Sequence, residues 1–253
     1  MPEQDREFIG RVAVVTGGSR GIGAGIAAAL AAAGAKVVVS GRDQPALDRV
    51  VEGIRAAGGL AEPVVAELTV EDEVQALRAR AEDIYGPVSL IAACAGGGGK
   101  AEPLAQESLA HWRAQVDTNL TSAFLTFRTF VPAMMAAGCG AIVAISSSAG
   151  RQLSGASLPY CAAKAGMQAL VRQIAAEAAP CGVRINTIAP SAIATEQLAS
   201  APPAVREEIA AGFPLRRIGE VRDVSEAALF LLSDRSSWIT GVTLDIAGGR
   251  VML

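Results

Sequence analysis

The stretch Val12-Ala13-Val14-Val15-Thr16-Gly17-Gly18-Ser19-Arg20-Gly21-Ile22-Gly23 carries most of the information about the fold. Val12–Thr16 is a short β-branched run, which favours an extended strand. It passes through a glycine-rich turn into an Ala-rich helix predicted over 22–33 and closed by Gly34. In a strand–turn–helix unit of this kind Gly17 permits the tight turn, Gly21 lets the backbone approach a pyrophosphate, and Gly23 lets helix lie on sheet. The unpaired N–H groups at the helix start favour a bound anion.

Outward from this unit the same rhythm continues. Strands are expected at 36–40, 61–66, 90–95, 141–146, 183–188 and 243–246. Helices are expected at 45–57, 71–85, 109–137, 160–180 and 222–232, with Pro132 kinking the long fourth one near its end. Apolar strands alternating with helices specify an α/β protein: a doubly wound parallel sheet covered by helices on both faces. No low-complexity linker divides residues 1–253, so they read as a single domain. Residues 191–215 are too long for a plain connection and read as a lid over a site.

Composition narrows the function. Half of the 253 residues are hydrophobic, aromatics make up 4%, and the net charge is -3 with Lys and Arg dispersed. Neither a basic stripe nor a stacking platform argues for nucleic acid. No uncharged apolar run is expected to reach the ~18 residues of a membrane span, and residues 1–10 lack the apolar core of a secretory leader. Cys94, Cys139, Cys161 and Cys181 show no CxxC spacing and read as reduced cytosolic thiols, with Cys94 a small buried hydrophobe. The single histidine, His111, cannot build a metal site and reads as a helix-surface residue beside Trp112.

Two positions address a nucleotide's ribose. About 20 residues past the glycine turn, an acidic residue ordinarily accepts the 2′-hydroxyl of NAD. Here the second strand runs out as Val39-Ser40-Gly41-Arg42, and Gly41 has no carboxylate. Arg20 and Arg42 can instead hold a 2′-phosphate, which points to NADP(H). Tyr160 and Lys164 lie four apart and share one helix face. A free phenol has a pKa near 10; a neighbouring ammonium is expected to lower it toward the working range. Ser147 follows the strand 141–146, at the end of the sheet where ligands bind, and can hydrogen-bond a carbonyl as charge develops on it.

Taken together, these residues resemble the short-chain dehydrogenase/reductase family, over about residues 10–249. The resemblance rests on Thr16–Gly23, Asn119 in Asp117-Thr118-Asn119-Leu120, Ser147, Tyr160-Cys161-Ala162-Ala163-Lys164, Asn186-Thr187-Ile188-Ala189-Pro190, Pro214-Leu215 with Arg217 and Gly219, and Ile239-Thr240-Gly241 with Asp245 and Gly248-Gly249. It implies a Rossmann-type fold and an NADP-dependent enzyme interconverting small ketones and secondary alcohols. Tyr160 would be the general acid and base, Lys164 would bind the nicotinamide ribose and lower the phenol pKa, Ser147 would position the carbonyl, and Asn119 would hold a water linking Lys164 to solvent. The cofactor would contact Gly17, Ser19, Arg20, Gly21, Ile22, Gly23, Arg42, Glu67, Leu68, Ala95, Gly96, Pro190, Ile193 and Thr195.

Three positions depart from the family pattern. Ala93-Cys94-Ala95-Gly96 stands where Asn-Asn-Ala-Gly is usual, Pro190-Ser191 where Pro-Gly is usual, and Glu67 where aspartate is usual. The nearest likeness is to 3-oxoacyl-carrier-protein reductases. Those dock an acidic carrier through arginines near the ends of two long helices. The matching positions here are Pro132 and Cys181, with Arg128 one turn away, so a free small molecule is the expected substrate. Its apolar walls would be Leu153, Leu158 and Leu198. A non-catalytic NADP-binding subunit is the alternative of another class; it usually requires a lost catalytic group. The resemblance also implies a homotetramer, paired through the two long helices and through residues 241–253.

Overall fold

The computed structural model describes residues 7–252. Residues 1–6 and 253, which carry most of the N-terminal reading and the last position of the expected C-terminal interface, lie outside it. Seven parallel strands form one sheet in the order β3-β2-β1-β4-β5-β6-β7. They are β1 (Val12–Thr16), β2 (Lys36–Gly41), β3 (Leu60–Val65), β4 (Leu90–Ala93), β5 (Gly140–Ile145), β6 (Val183–Pro190) and β7 (Thr243–Ile246). The helices are α1 (Gly21–Ala32), α2 (Gln44–Ala56), α3 (Glu71–Tyr85), α4 (Leu109–Val116), α5 (Ser122–Ala137), α6 (Leu158–Ala178), α7 (Glu196–Ala199), α8 (Pro203–Ala211) and α9 (Val221–Leu232).

Consecutive strand residues feed opposite layers. Leu90 packs into the layer with α1, α2 and α9, and Ile91 into the layer with α3, α5 and α6. Both are fully buried, each stabilising by roughly 1.5–3 kcal/mol on the transfer scale. This two-sided burial is why the strands read as unbroken apolar runs. Strand order reverses between β1 and β4, which pair with Thr16 opposite Ala93. Helices leave the two strands toward opposite faces, so a crevice opens beyond their C-terminal ends.

Three expectations change. β4 stops at Ala93, because Cys94 hands its N–H to Thr16 O and the chain turns into the glycine run behind it. The predicted long helix is two helices joined by a π-turn over Asp117–Thr121, and the interruption lies there rather than at Pro132, which sits inside α5. The stretch Leu109–Ala137 has the length and mean hydropathy of a membrane span, but Arg113, Asp117 and Arg128 interrupt it and Phe127, Phe130 and Met134 bury its apolar side against the sheet. Residues 191–215 are not irregular throughout: α7 and α8 lie within them.

Candidate active site

The cleft begins at the turn between β1 and α1. Gly17 has φ +63°, and a Cβ there would lie 2.7 Å from the Ala95 backbone, so only glycine lets the two segments touch. Arg20 precedes α1 in an extended conformation without a side-chain cap, leaving the first N–H groups of α1 facing the cleft. A cavity of about 850 Å³ starts here, lined by Gly17, Arg20, Gly21, Ile22 and Gly23, and runs to Ser147, Tyr160 and Lys164. Pro190, Ser191, Ile193 and Thr195 close its other side. The start of 191–215 is held in place by pairing of Ile193 with Gly219 and by the Thr195 methyl, 3.2 Å from where a Gly21 Cβ would sit.

A second cavity of about 300 Å³ continues past Gly17 between Ser19, Arg20, Gly41, Arg42, Glu67, Leu68 and Ala95. Here the arginines are already paired. Arg20 Nη2 donates to Asp43 Oδ2 at 3.1 Å, and Arg42 Nη1 to Glu67 Oε2 at 3.4 Å. Asp43 escaped the sequence reading because it looks like the helix cap it also is, its Oδ1 accepting from Ala46 N. Burial alone would raise the Glu67 pKa; hydrogen bonds from Thr69 and the Arg42 charge bring it below the usual value.

At the other end, α6 sets Tyr160 and Lys164 on one face, beneath β5. Ser146 Oγ donates to Lys164 O at 2.9 Å, and Gln168 Nε2 donates to Ser146 Oγ at 2.9 Å. These buried bonds fix the helix register against the strand that ends at Ser147. Ser147 Oγ accepts from Ala149 N at 3.1 Å, and its hydroxyl lies near enough to the Tyr160 phenol to lower the phenol's pKa. Lys164 is 3% exposed, donates to Ile145 O at 2.8 Å, and sits 5.7 Å from the Tyr160 ring centroid. Asn119 is fully buried; its side chain clamps Gly97, accepting from the amide at 3.0 Å and donating to the carbonyl at 3.1 Å.

The charges here obey burial first. Burial lowers the Lys164 ammonium to about 8, partly offset by the neighbouring Cys94. Burial likewise pushes the Cys94 thiol up to about 12, which leaves it a protonated packing group and a poor nucleophile. The expected depression of the Tyr160 phenol is not found: burial raises it, the bond with Ser147 lowers it, and Cys161 raises it again. The ammonium faces a carbonyl and the ring rather than compensating that burial.

The structure therefore brings Ser147, Tyr160, Lys164 and Asn119 together at one end of a cleft whose other end holds the glycine turn, Arg20, Arg42, Glu67 and Leu68. Leu153 does not join them; it is 96% exposed, and Leu158 is largely exposed as well. Ser146 and Gln168 were missed, since a serine among serines and a glutamine on a helix carry no local signal. The cleft suits a dinucleotide: the backbone cradle at Gly17 is closed to any side chain, helix N–H groups face the cleft where an anion would bind, and two arginines flank its far end.

A family model described as enoyl-(acyl carrier protein) reductase matches residues 17–250. A cis-4-hydroxycyclohexanecarboxylate dehydrogenase of Sinomonas cyclohexanicum is 39% identical, over 96% of this chain and 97% of its own. The chain belongs to the short-chain dehydrogenase/reductase family. Among solved structures, a 3-oxoacyl-[acyl-carrier protein] reductase from Brucella melitensis superposes with a TM-score of 0.93 at 32% identity, covering all of this chain and 97% of that one. A 7α-hydroxysteroid dehydrogenase complexed with NADH and 7-oxo glycochenodeoxycholic acid does so at 0.92 and 35%, over 100% and 99%. This short-chain dehydrogenase/reductase is an oxidoreductase of alcohols and ketones that uses a nicotinamide cofactor, which supplies or accepts the hydride when bound.

Proposed function

We propose that this dehydrogenase/reductase prefers NADPH and interconverts a free, small ketone and its secondary alcohol, with Tyr160 as proton donor for reduction. The observation that carries this reading is the convergence of the Tyr160 hydroxyl, the Ser147 hydroxyl and the Lys164 ammonium at one wall of the cleft. In the reduction direction the substrate oxygen would rest on Ser147 and Tyr160, which delivers the proton as charge develops. Lys164, protonated below about 8, would hold the ribose hydroxyls and stabilise the phenolate left behind. Asn119 would fix the glycine run beside Lys164 and support the water through which protons return from solvent. Gly17, Ser19, Gly21, Ile22 and Gly23 would hold the phosphates, with Ala95, Gly96, Pro190, Ile193 and Thr195 along the rest of the cofactor.

NADPH is favoured by Gly41 and by the arginine pair. Both arginines are exposed, and the surface ion pairs they leave are worth only about 0–1 kcal/mol each. A dianionic phosphate between two guanidiniums outweighs that. Asp43 is the feature favouring NADH, since it lines the same cavity. A free substrate is favoured over a carrier-bound one because Pro132 and Cys181 are uncharged and Arg128 is held by Glu71 at 3.2 Å. The 39% relative, named for a ring alcohol, points toward a cyclic substrate. We read the chain as a cytoplasmic homotetramer of single domains with 191–215 as lid. Nicotinamide absorbance with NADPH or NADH and a panel of cyclic ketones, keto esters and carrier-bound 3-ketoacyl groups tests this. Equal use of NADH, or a carrier-bound advantage lost at high salt, overturns the respective part.

A further inference from the structure

Helix α4 turns the wrong chemistry inward. A surface helix ordinarily buries an apolar stripe, yet α4 buries no hydrophobic residue at all. Beside the half-buried Val116, the residues it directs at the molecule are polar: Glu107, just before its start, then His111, Gln115 and, in the π-turn after it, Asn119, each four positions from the last. These four form one polar file. Glu107 accepts from His111 Nδ1 at 2.7 Å; its side chain is 6% exposed, and its second oxygen has no partner among the described residues. The Asn119 Nδ2, one hydrogen of which serves the Gly97 carbonyl, shares the other between both oxygens of Gln115, 3.0 Å from the backbone carbonyl and 3.2 Å from the side chain.

The file lies against the glycine run. A Cβ on Gly96 would fall 2.6 Å from Asn119 Oδ1 and 3.0 Å from Lys164 Nζ; one on Gly99 would fall 2.5 Å from His111 Nε2 and 2.7 Å from Gln115 Nε2. Gly97 is held at both its amide and carbonyl by Asn119. The run Gly96-Gly97-Gly98-Gly99 has the highest intrinsic backbone freedom in the chain, and its first two residues line the cleft beside Lys164. A buried carboxylate with one oxygen unbonded costs stability, and so does a polar stripe where leucines would pack. Such local conflicts mark places kept for something other than stability.

We propose that Gln115, His111 and Glu107 are positioning residues for this site: Gln115 orients Asn119, and His111, braced by Glu107, holds the glycine run at the geometry that Asn119 and Lys164 require. The proposal rests on the reading of Asn119 and Lys164 given above. None of the three touches the reacting atoms, so their loss should lower kcat through misplacement rather than abolish binding.

The test compares Gln115→Leu, Gln115→Glu and His111→Phe with Arg113→Leu on the exposed side of α4. Gln115→Leu should cut kcat about tenfold or more, since displacements below 1 Å can cost up to ~10²-fold. Its Kd for NADPH, followed by cofactor fluorescence, and its Tm should stay close to wild type. Gln115→Glu keeps the acceptor for Asn119 and should recover most of kcat; His111→Phe should fall less than Gln115→Leu, and Arg113→Leu should not change. Hydrogen exchange at the Gly97 and Gly99 amides of the cofactor-free protein should speed up in Gln115→Leu and His111→Phe, and this readout holds even if the wild type turns over no ketone in the panel. That latter result would sink the catalytic reading alone. Unaltered exchange and kcat in Gln115→Leu, or equal losses in Gln115→Leu and Gln115→Glu that track Tm, would overturn the positioning role.

Discussion

The two ends of the cleft are built on opposite electrostatic terms. At the glycine-turn end Arg20 and Arg42 stand more than half exposed and Asp43 nearly half, and their ion pairs can be exchanged for a ligand at little cost. At the nicotinamide end Lys164 and Asn119 are buried, and each is tied to backbone or carboxamide partners. Water screens the first set far more than the second, so a charge change is tolerated at one end and disruptive at the other. On the proposed function, coenzyme preference would be set at the exposed end and proton transfer at the buried one.

The sharpest way to break this contrast is at the buried end. Tyr160→Phe removes only the hydroxyl and should lower kcat by roughly 10²–10⁴-fold while NADPH still binds, as checked by fluorescence titration beside turnover. Ser147→Ala should follow with about 10²–10³-fold. Wild-type turnover in either variant would remove the distinction between the two ends.

Stability offers an independent measurement. Burial holds Lys164 near 8, below its ordinary 10.5. Between those values the unfolded chain binds the proton and the folded one does not, so this group makes stability rise with pH across that window and costs a few kcal/mol at pH 7. Lys164→Met should lose activity yet melt no lower than wild type at pH 7. The pH-dependent part of Tm between about 8 and 10 should shrink against wild type; an unchanged profile would show that the lysine is not desolvated in the folded enzyme.

The exposed end should respond least. Arg42→Asp should shift the NADPH-to-NADH ratio of kcat/KM by about tenfold, within the ~1.5–3 kcal/mol of one charge-assisted bond and reduced by solvent. Its kcat with saturating NADH should match wild type. A comparable loss of kcat would mean that the two ends are coupled through Gly17 and Ala95.

The legibility of the site followed the same division. Gly17, Tyr160 and Lys164 could be read because local geometry demands them: a turn at positive φ, and a pair one helical turn apart. Arg20 and Arg42 could be placed but not their partners, since Asp43 reaches Arg20 only after β1 and β2 pair, and Glu67 reaches Arg42 only after β2 and β3 pair. Leu153, expected as a pocket wall, is instead exposed, for hydrophobicity does not say which way a loop faces. His111 was read as a surface residue, and its ring is half hidden between Glu107 and Gly99.

What the amino-acid order determined by itself was everything carried by short-range periodicity: the alternation of buried strands and helices, the anion-binding turn, and the four-residue spacing of Tyr160 and Lys164. What only the tertiary structure decided was the pairing and the desolvation. Burial depends on residues distant in sequence, such as Ser146 and Gln168 docking α6 under β5, or Asn119 meeting Gly97 across 22 positions. A lysine four residues from a tyrosine reads as a donor of positive charge. Packed against Ile145 O in a dry interior, it is a group whose own charge is costly, and the phenol beside it is raised rather than lowered.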